Sequence, residues 1–108
     1  MIVRRDTWGY AMSFHATLEL TAADGKADEL LAVFKKILPD TRARQGCEFV
    51  TVHQDQANPN QIVLIERWTT REDDDAYRAW RAGEGKVTEM AGLVAAAPVI
   101  RYFDDVDA

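Results

Sequence analysis

The chain has 108 residues, which is the length of a single domain and is long enough for that domain to bury most of its hydrophobic core. Hydrophobic residues make up 47% and charged residues 29%, which is typical of a globular protein and excludes a disordered one. The net charge of −5, with acidic runs at 73–75 and 104–107, argues against a nucleic-acid partner because phosphate binding requires a basic surface.

The sequence also argues against a membrane protein. No stretch approaches the roughly 18 apolar residues that cross a bilayer, and the start, Met1 to Asp6, lacks the apolar core of a signal peptide. A single cysteine, Cys47, cannot form an intrachain disulfide, so a reducing cytoplasmic location is expected. Cys47 is read as a small buried hydrophobe rather than as a nucleophile.

The first half of the chain predicts a strand and a helix. Apolar and polar residues alternate over Phe14–Leu20, which predicts a half-buried strand after an N-terminal arm of residues 1–11. A helix is predicted over 25–38, with Asp24 as its cap and apolar residues at helical spacing. Pro39 predicts either the end of this helix or a kink followed by one more turn.

The middle of the chain predicts a hairpin. β-branched and aromatic residues favour strands over 47–54 and 62–68, and the intervening residues 56–60 have the Asn and Pro content of a turn. The two strands are therefore expected to pair.

The last third predicts a second helix and a fourth strand. Apolar residues recur at helical spacing between Ala76 and Val94, with Gly83 and Gly85 as a break between two helical pieces. A short strand follows at 99–103. The order β-α-β-β-α-β over residues 12–108 is the ferredoxin-like arrangement of an α+β domain.

The third strand predicts a dimer. Ile62 and Leu64 point to one face of the sheet while Val63 and Ile65 point to the other, and the fourth strand is apolar on both sides in the same way. An identical sheet from a second copy is the simplest cover for the second face, so a homodimer is expected. The alternative is that the third strand is merely central in its sheet.

Three segments resemble one protein family. The sequences TRARQGC at 41–47, VHQD at 52–55 and VLIERW at 63–68 closely resemble the antibiotic biosynthesis monooxygenase family. The resemblance implies a ferredoxin-like domain that forms a dimeric α+β barrel. Some members of this family oxidise polycyclic phenols or quinols with O₂ and no cofactor, some degrade haem, and many have no assigned substrate.

The chain departs from that family at positions that bear on chemistry. Members with a His-rich second helix carry histidines where this sequence has Tyr77 and the run Trp80–Gly83, so a histidine base from that helix is not implied. The haem-degrading branch needs an Asn in strand one, where Leu18 stands here, and a later His ligand, but no histidine follows His53. Haem degradation is therefore not expected.

An aromatic cluster is the predicted substrate pocket. Trp68 ends the third strand, and Tyr77 and Trp80 follow at helical spacing, so the three side chains provide flat walls and a phenolic hydrogen bond for an aromatic ligand. Phe34 and Met90 add apolar lining. The alternative is that the aromatics are ordinary core packing.

Two candidate catalytic residues are Tyr77 and His53. An imidazole titrates near neutral pH, which suits a base, but alternation places His53 on the face of Phe49 and Thr51, where a structural or interface role is the alternative. Glu66 is a candidate substrate ligand, with a structural ion pair to Arg101 or Arg78 as the alternative role.

No metal or cofactor is expected. Two histidines and one cysteine show no zinc or iron spacing, and the chain has no Gly-rich phosphate loop or Ser nucleophile elbow. The sequence therefore predicts a cofactor-independent monooxygenase that oxidises an aromatic quinol or phenol with O₂ in an apolar pocket. The alternative is a non-catalytic small-ligand-binding or stress-response domain of the same fold.

Overall fold

A computed structural model describes residues 13–108, so the predicted arm of residues 1–11 lies outside the described part. Four strands and two helices follow the predicted βαββαβ order. They are β1 (Phe14–Thr21), α1 (Ala27–Arg42), β2 (Cys47–Gln54), β3 (Gln61–Trp68), α2 (Arg71–Ala82) and β4 (Val99–Asp104). The strands form one antiparallel sheet in the order β2-β3-β1-β4, which confirms the predicted fold and the β2–β3 hairpin.

Strand alternation gives the sheet two different faces. On the side that packs against the helices, the helix face, residues such as Leu20, Ile62 and Leu64 form a core with Phe34 and other apolar residues of α1. The opposite side, the open face, is formed by the residues that alternate with these. It includes Phe49, His53, Val63, Ile65, Arg67, Val99 and Phe103.

Helix α1 continues past the predicted end at residue 38. It begins at Ala27 and ends at Arg42, with Pro39 inside it and no side-chain cap at its N-terminus. Proline has no backbone N–H and so removes one helical hydrogen bond, but the last turn still forms because tertiary contacts hold it in place. Thr41 is fully buried, and Arg42 donates to the carbonyl oxygen of Val50 in β2 at 3.2 and 2.9 Å.

The predicted second helical piece, from Val87 to Val94, is wrong. Helix α2 starts after the Thr70 cap, whose hydroxyl accepts from the Asp73 N–H at 3.0 Å, and ends at Ala82. Residues 83–98, here called the 83–98 segment, consist of turns, bends and irregular backbone, with an isolated bridge at Val94. Val94 is held instead by a bridge to Ala22, so its apolar side chain serves tertiary packing rather than a helical face.

Within residues 13–108, no helix is both long and apolar enough to cross a membrane.

The last strand is poorly covered by the rest of the chain. The large apolar side chains of β4 are 36–47% exposed in the single chain. These are Val99, Ile100, Tyr102 and Phe103.

Candidate functional site

A cavity of about 360 Å³ lies between the helix face, the two helices and the 83–98 segment. Its walls are mainly apolar, with charged groups at a few points. The lining residues are Leu18, Phe34, Ile37, Leu38, Leu64, Glu66, Tyr77, Arg78, Arg81, Lys86, Val87, Met90, Pro98 and Ile100. An apolar concave site with few polar groups is the usual form of a small-molecule site.

Glu66 is a buried carboxylate in this cavity wall, with only 2% of its surface exposed. The indole N–H of Trp68 donates to its Oε1 at 2.9 Å, and Nη2 of Arg78 donates to the same oxygen at 2.7 Å. Both bonds end on Oε1, and the part of the chain that the structure describes supplies no hydrogen bond to Oε2. Of the two predicted partners, Arg78 is correct, because Arg101 pairs with Glu19 at 3.2 Å.

Arg78 joins Glu66 to a second buried acid. Its guanidinium also contacts Oδ1 of Asp74, a fully buried carboxylate one helical turn earlier, at 3.0 Å. Burial opposes the charge on Arg78, but the two carboxylates outweigh this effect and raise the pKa of Arg78 above its ordinary value. The charges of this trio are therefore held in fixed positions behind the cavity.

Tyr77 lies at another side of the cavity and is 6% exposed. Its hydroxyl shares a 2.7 Å hydrogen bond with the buried Thr41 hydroxyl and accepts from Nε of Arg81 at 2.9 Å. Arg81 is itself fixed by bonds to the carbonyl oxygens of Gly85 and Ile37, both at 3.1 Å. This network joins the end of α1 to the end of α2.

The predicted aromatic cluster exists as a packed stack. The ring centroids of Trp68 and Tyr77 are 5.1 Å apart, and those of Tyr77 and Trp80 are 6.2 Å apart. Tyr77 lines the cavity, whereas Trp68 is fully buried behind it and Trp80 packs against the guanidinium groups of Arg44 and Arg81. Of the three, Tyr77 is therefore the one in direct reach of a ligand.

Four of the predicted site residues meet at the cavity: Phe34, Glu66, Tyr77 and Met90. His53 does not, because it stands on the open face, where it is exposed and its Nε2 is 2.8 Å from the Thr51 hydroxyl. Arg81 was not predicted at all, and Arg78 was predicted only as a possible ion-pair partner of Glu66, not as a residue lining the cavity. Their spacing of four residues from Asp74 and Tyr77 was a usable signal, since such pairs are neighbours on a helix.

The open face carries its own ionic network around Arg67. The guanidinium contacts Asp105 at 2.8 Å and Glu48 at 3.3 Å, and His15 lies 3.1 Å from Asp105. Glu48, which sits at a bulge in β2, is also bound by the hydroxyls of Ser13 and Thr69. These groups are half exposed, in contrast to the acids beside the cavity.

Cys47 is partly buried where β2 begins, in contact with both core clusters. Burial raises its pKa to about 11, and the nearby carboxylate of Glu66 adds to the effect. The thiol is therefore protonated at neutral pH, as expected for a packing residue. Among residues 13–108, no three His, Cys, Asp or Glu side chains converge as metal ligands.

The architecture is that of a ferredoxin-like domain with a mainly apolar cavity between its sheet and its helices, and the sequence places it in a family. The sequence model of the antibiotic biosynthesis monooxygenase family matches residues 13–85, and the chain belongs to this family. In a search of curated proteins, none matched the sequence.

Solved structures with the same fold include a cofactor-independent oxygenase, SnoaB from Streptomyces nogalater. It is 17% identical, with 91% of this chain and 97% of that chain covered and a TM-score of 0.76. A protein from Shewanella oneidensis is 20% identical, with 91% and 95% covered and a TM-score of 0.77. A protein from Pseudomonas aeruginosa is 18% identical, with 90% and 97% covered and a TM-score of 0.77. At these identities the likeness establishes the shared fold.

Proposed function

We propose that this protein is a cofactor-independent monooxygenase that oxidises an aromatic phenol or quinol with O₂ in the cavity between sheet and helices. The observation that carries the proposal is the buried carboxylate of Glu66 in the wall of a mainly apolar cavity. Membership of the monooxygenase family supports the same reaction class.

The chemistry needs a substrate that is its own electron donor. Once a phenol loses its proton, the electron-rich phenolate ring can pass an electron to O₂, and the two radicals recombine at an open ring carbon. Loss of water from the resulting peroxide gives a quinone, so one oxygen atom enters the ring and the other leaves as water. The substrate supplies all the electrons, and the protein contributes a dry site, a proton acceptor and orientation.

Glu66 is the proposed proton acceptor. Its Oε1 is held by Trp68 and Arg78, which leaves Oε2 for the hydroxyl of a ligand in the cavity. Arg78 lies beside the same site, so its positive charge stabilises the phenolate that forms. Tyr77 is proposed to orient the ring, since its hydroxyl is fixed by Thr41 and Arg81.

The alternative is a non-catalytic small-ligand-binding domain. No histidine is among the residues that line the cavity, and the Tyr77 hydroxyl is already engaged by two partners. These observations favour binding without turnover. The two functions differ in one measurable property, the consumption of O₂.

We also propose that the protein works as a cytoplasmic homodimer joined through the open face. Three large apolar side chains on this face are 38–47% exposed in the single chain: Phe49, Val99 and Phe103. Large exposed apolar patches usually mark an interface. Sedimentation velocity at micromolar concentration is expected to give a dimer, and a stable monomer would refute this part of the proposal.

Oxygen uptake tests the enzymatic proposal. Menadiol and 1,5-dihydroxynaphthalene are incubated with the protein under air, and the rate is compared with autoxidation. With ¹⁸O₂, the dihydroxynaphthalene product is expected to gain one labelled oxygen, which distinguishes an oxygenase from an oxidase. Glu66→Gln is expected to lower the rate about 100-fold, because proton transfer to a positioned base contributes this much or more.

Glu72→Gln is the matched control, since Glu72 is an exposed glutamate on α2 that does not line the cavity. The control variant should react at the parent rate. If the parent protein consumes O₂ no faster than autoxidation, the enzymatic proposal is refuted and the binding function is supported. If His53→Asn lowers the rate and Glu66→Gln does not, the base is His53 on the open face instead of Glu66.

A further inference from the structure

The cavity has an excess of positive charge that the described residues, 13–108, do not neutralise. Four charged side chains line it: one carboxylate, Glu66, and three cations, Arg78, Arg81 and Lys86. This is opposite in sign to the chain as a whole, whose net charge is −5. A local excess of one sign in an apolar cleft raises the local concentration of ligands of the opposite sign.

Arg78 does not account for this excess, because Glu66 and Asp74 compensate its charge at 2.7 and 3.0 Å. Arg81 is different. Its bonds go to neutral oxygens of Tyr77, Gly85, Ile37 and Thr41, and residues 13–108 offer it no carboxylate within ion-pair distance. These four bonds use four of its five N–H groups, so one N–H on Nη1 is available to a ligand.

Lys86 is the second uncompensated cation. Lys26 and Lys36 pair with Glu29 and Glu89, at 3.4 and 2.6 Å, whereas no described carboxylate pairs with Lys86. Lys86 is exposed and lines the cavity, one residue beyond Gly85, whose carbonyl oxygen binds Arg81. The two uncompensated cations therefore belong to the same part of the cavity wall.

We infer that the ligand of this cavity is an aromatic anion, an aryl carboxylate whose ring fills the apolar part and whose carboxylate is bound by Lys86 and Arg81. The carboxylate would accept from the ammonium group of Lys86 and from the available N–H of Arg81, two charge-assisted hydrogen bonds. The ring would lie against Phe34, Leu64 and Met90. This inference rests on the proposed function, in which the aromatic ring is the group that is oxidised. It adds that an acidic substituent on the ring selects the substrate.

Binding of two matched two-ring probes tests the inference without any turnover. The probes are 2-naphthoate and its neutral counterpart 2-naphthamide, titrated by calorimetry at pH 7.5. Naphthoate is expected to bind about tenfold more tightly than the amide, a difference equivalent to about 1.4 kcal/mol. Raising NaCl from 0.05 to 0.5 M should reduce this preference, because salt screens an exposed charge such as Lys86.

Lys86→Gln is expected to weaken naphthoate binding about fivefold to tenfold and to leave naphthamide binding within twofold. Lys35→Gln is the matched control, since Lys35 is exposed on α1 and does not line the cavity. It changes the net charge by the same amount and should leave both affinities unchanged. Retained thermal stability in Lys86→Gln will show that the loss is local.

Equal affinity of the parent for the two probes, or an equal loss of both in Lys86→Gln, would overturn the inference. Oxygen uptake is measured in parallel with the 1,4-dihydroxy derivatives of the same acid and amide. Uptake with no preference for the acid would refute the inference while upholding the oxygenase. A naphthoate preference that depends on Lys86, without oxygen uptake, would refute the oxygenase and uphold the anion site.

Discussion

Glu66 and Arg67 are neighbours in β3, yet they belong to two ionic networks on opposite faces of the sheet. On the helix face, Arg78 binds Glu66 and Asp74; on the open face, Arg67 binds Asp105 and Glu48. The two guanidinium side chains are equally exposed, at 24%. The acids differ: those of the helix face are 2% and 0% exposed, and those of the open face are 39% and 36% exposed.

This comparison shows that the surroundings of the acids, rather than the number of ion pairs, decide what each network does. A buried carboxylate that loses its partner is left as an uncompensated charge, which costs several kcal/mol. A half-exposed carboxylate that loses its partner returns to water at little cost. The helix-face network therefore fixes the cavity wall, whereas the open-face network contributes mainly to surface charge.

The largest expected effect is the removal of the buried cation. Arg78→Met leaves Glu66 without its charged partner and Asp74 with only the longer contact to Arg71, whose Nε is 3.6 Å from Oδ2. It is expected to lower the free energy of unfolding by about 3 kcal/mol. Arg67→Met, with the same exposure and the same number of acidic partners, is expected to cost less than about 1 kcal/mol. Urea unfolding of both variants, at a protein concentration where the protein is a monomer and the open face is exposed, measures the difference. Equal losses would contradict the comparison.

Two threonines differ between the faces in the same way as the acids do. Thr41 is fully buried and bonds both Tyr77 and Arg81, whereas Thr51 is exposed on the open face beside His53. Thr41→Val is expected to cost about 1–2 kcal/mol, since it leaves buried donors and acceptors unsatisfied. Thr51→Val should change stability by less than about 0.5 kcal/mol, because surface substitutions usually do. Both variants are unfolded in urea at a protein concentration where sedimentation shows a monomer, because the proposed dimer would cover Thr51. Equal losses under these conditions would contradict the difference between the two faces.

The smallest expected effect is the acid response of the open face. Hydrogen bonding to Arg67 lowers the pKa of Asp105, and hydrogen bonding to Ser13, Thr69 and Arg67 lowers the pKa of Glu48. A carboxyl with a lowered folded-state pKa adds stability above its unfolded pKa, near 4, and loses it as the pH falls through the folded value. Stability should therefore fall slightly below pH 4, and Asp105→Asn should flatten this part of the pH profile.

Several features of the fold could be predicted because they depend on local sequence patterns. Period-two alternation located β1, the β-branched and aromatic residues located β2 and β3, and the polar turn at 56–60 located the hairpin. At Pro39 the sequence left two alternatives, a helix end or one more turn. Local patterns could not decide between them, because the extra turn depends on Thr41 meeting residues of α2 that are 36 and 40 positions away. Tertiary contacts overrode the local signal for a helix end.

The prediction of a second helical piece was wrong for a related reason. Apolar residues at helical spacing predicted a helix, but Gly92 has a φ of +80°, and the chain then turns to bridge Val94 with Ala22. The apolar spacing at 87, 90 and 94 reflects contacts with the cavity and the core instead. Of the residues predicted for the substrate pocket, Phe34, Glu66, Tyr77 and Met90 line the cavity. That Arg78 and Arg81 line it as well depends on how the helices pack against the sheet.

The 83–98 segment has a further consequence for how this protein can diversify. The part of the sequence matched by the family ends at residue 85, yet Lys86, Val87, Met90 and Pro98 form one wall of the cavity. At one end the segment is bonded to α2 through the Trp80 carbonyl oxygen. At the other end Val94 bridges Ala22, just after β1, and the Ala95 N–H donates to the carbonyl oxygen of Thr21 in β1 at 2.8 Å. Substitutions between these ties alter the cavity while leaving every strand pair intact, so new ligand preferences can evolve on an unchanged sheet.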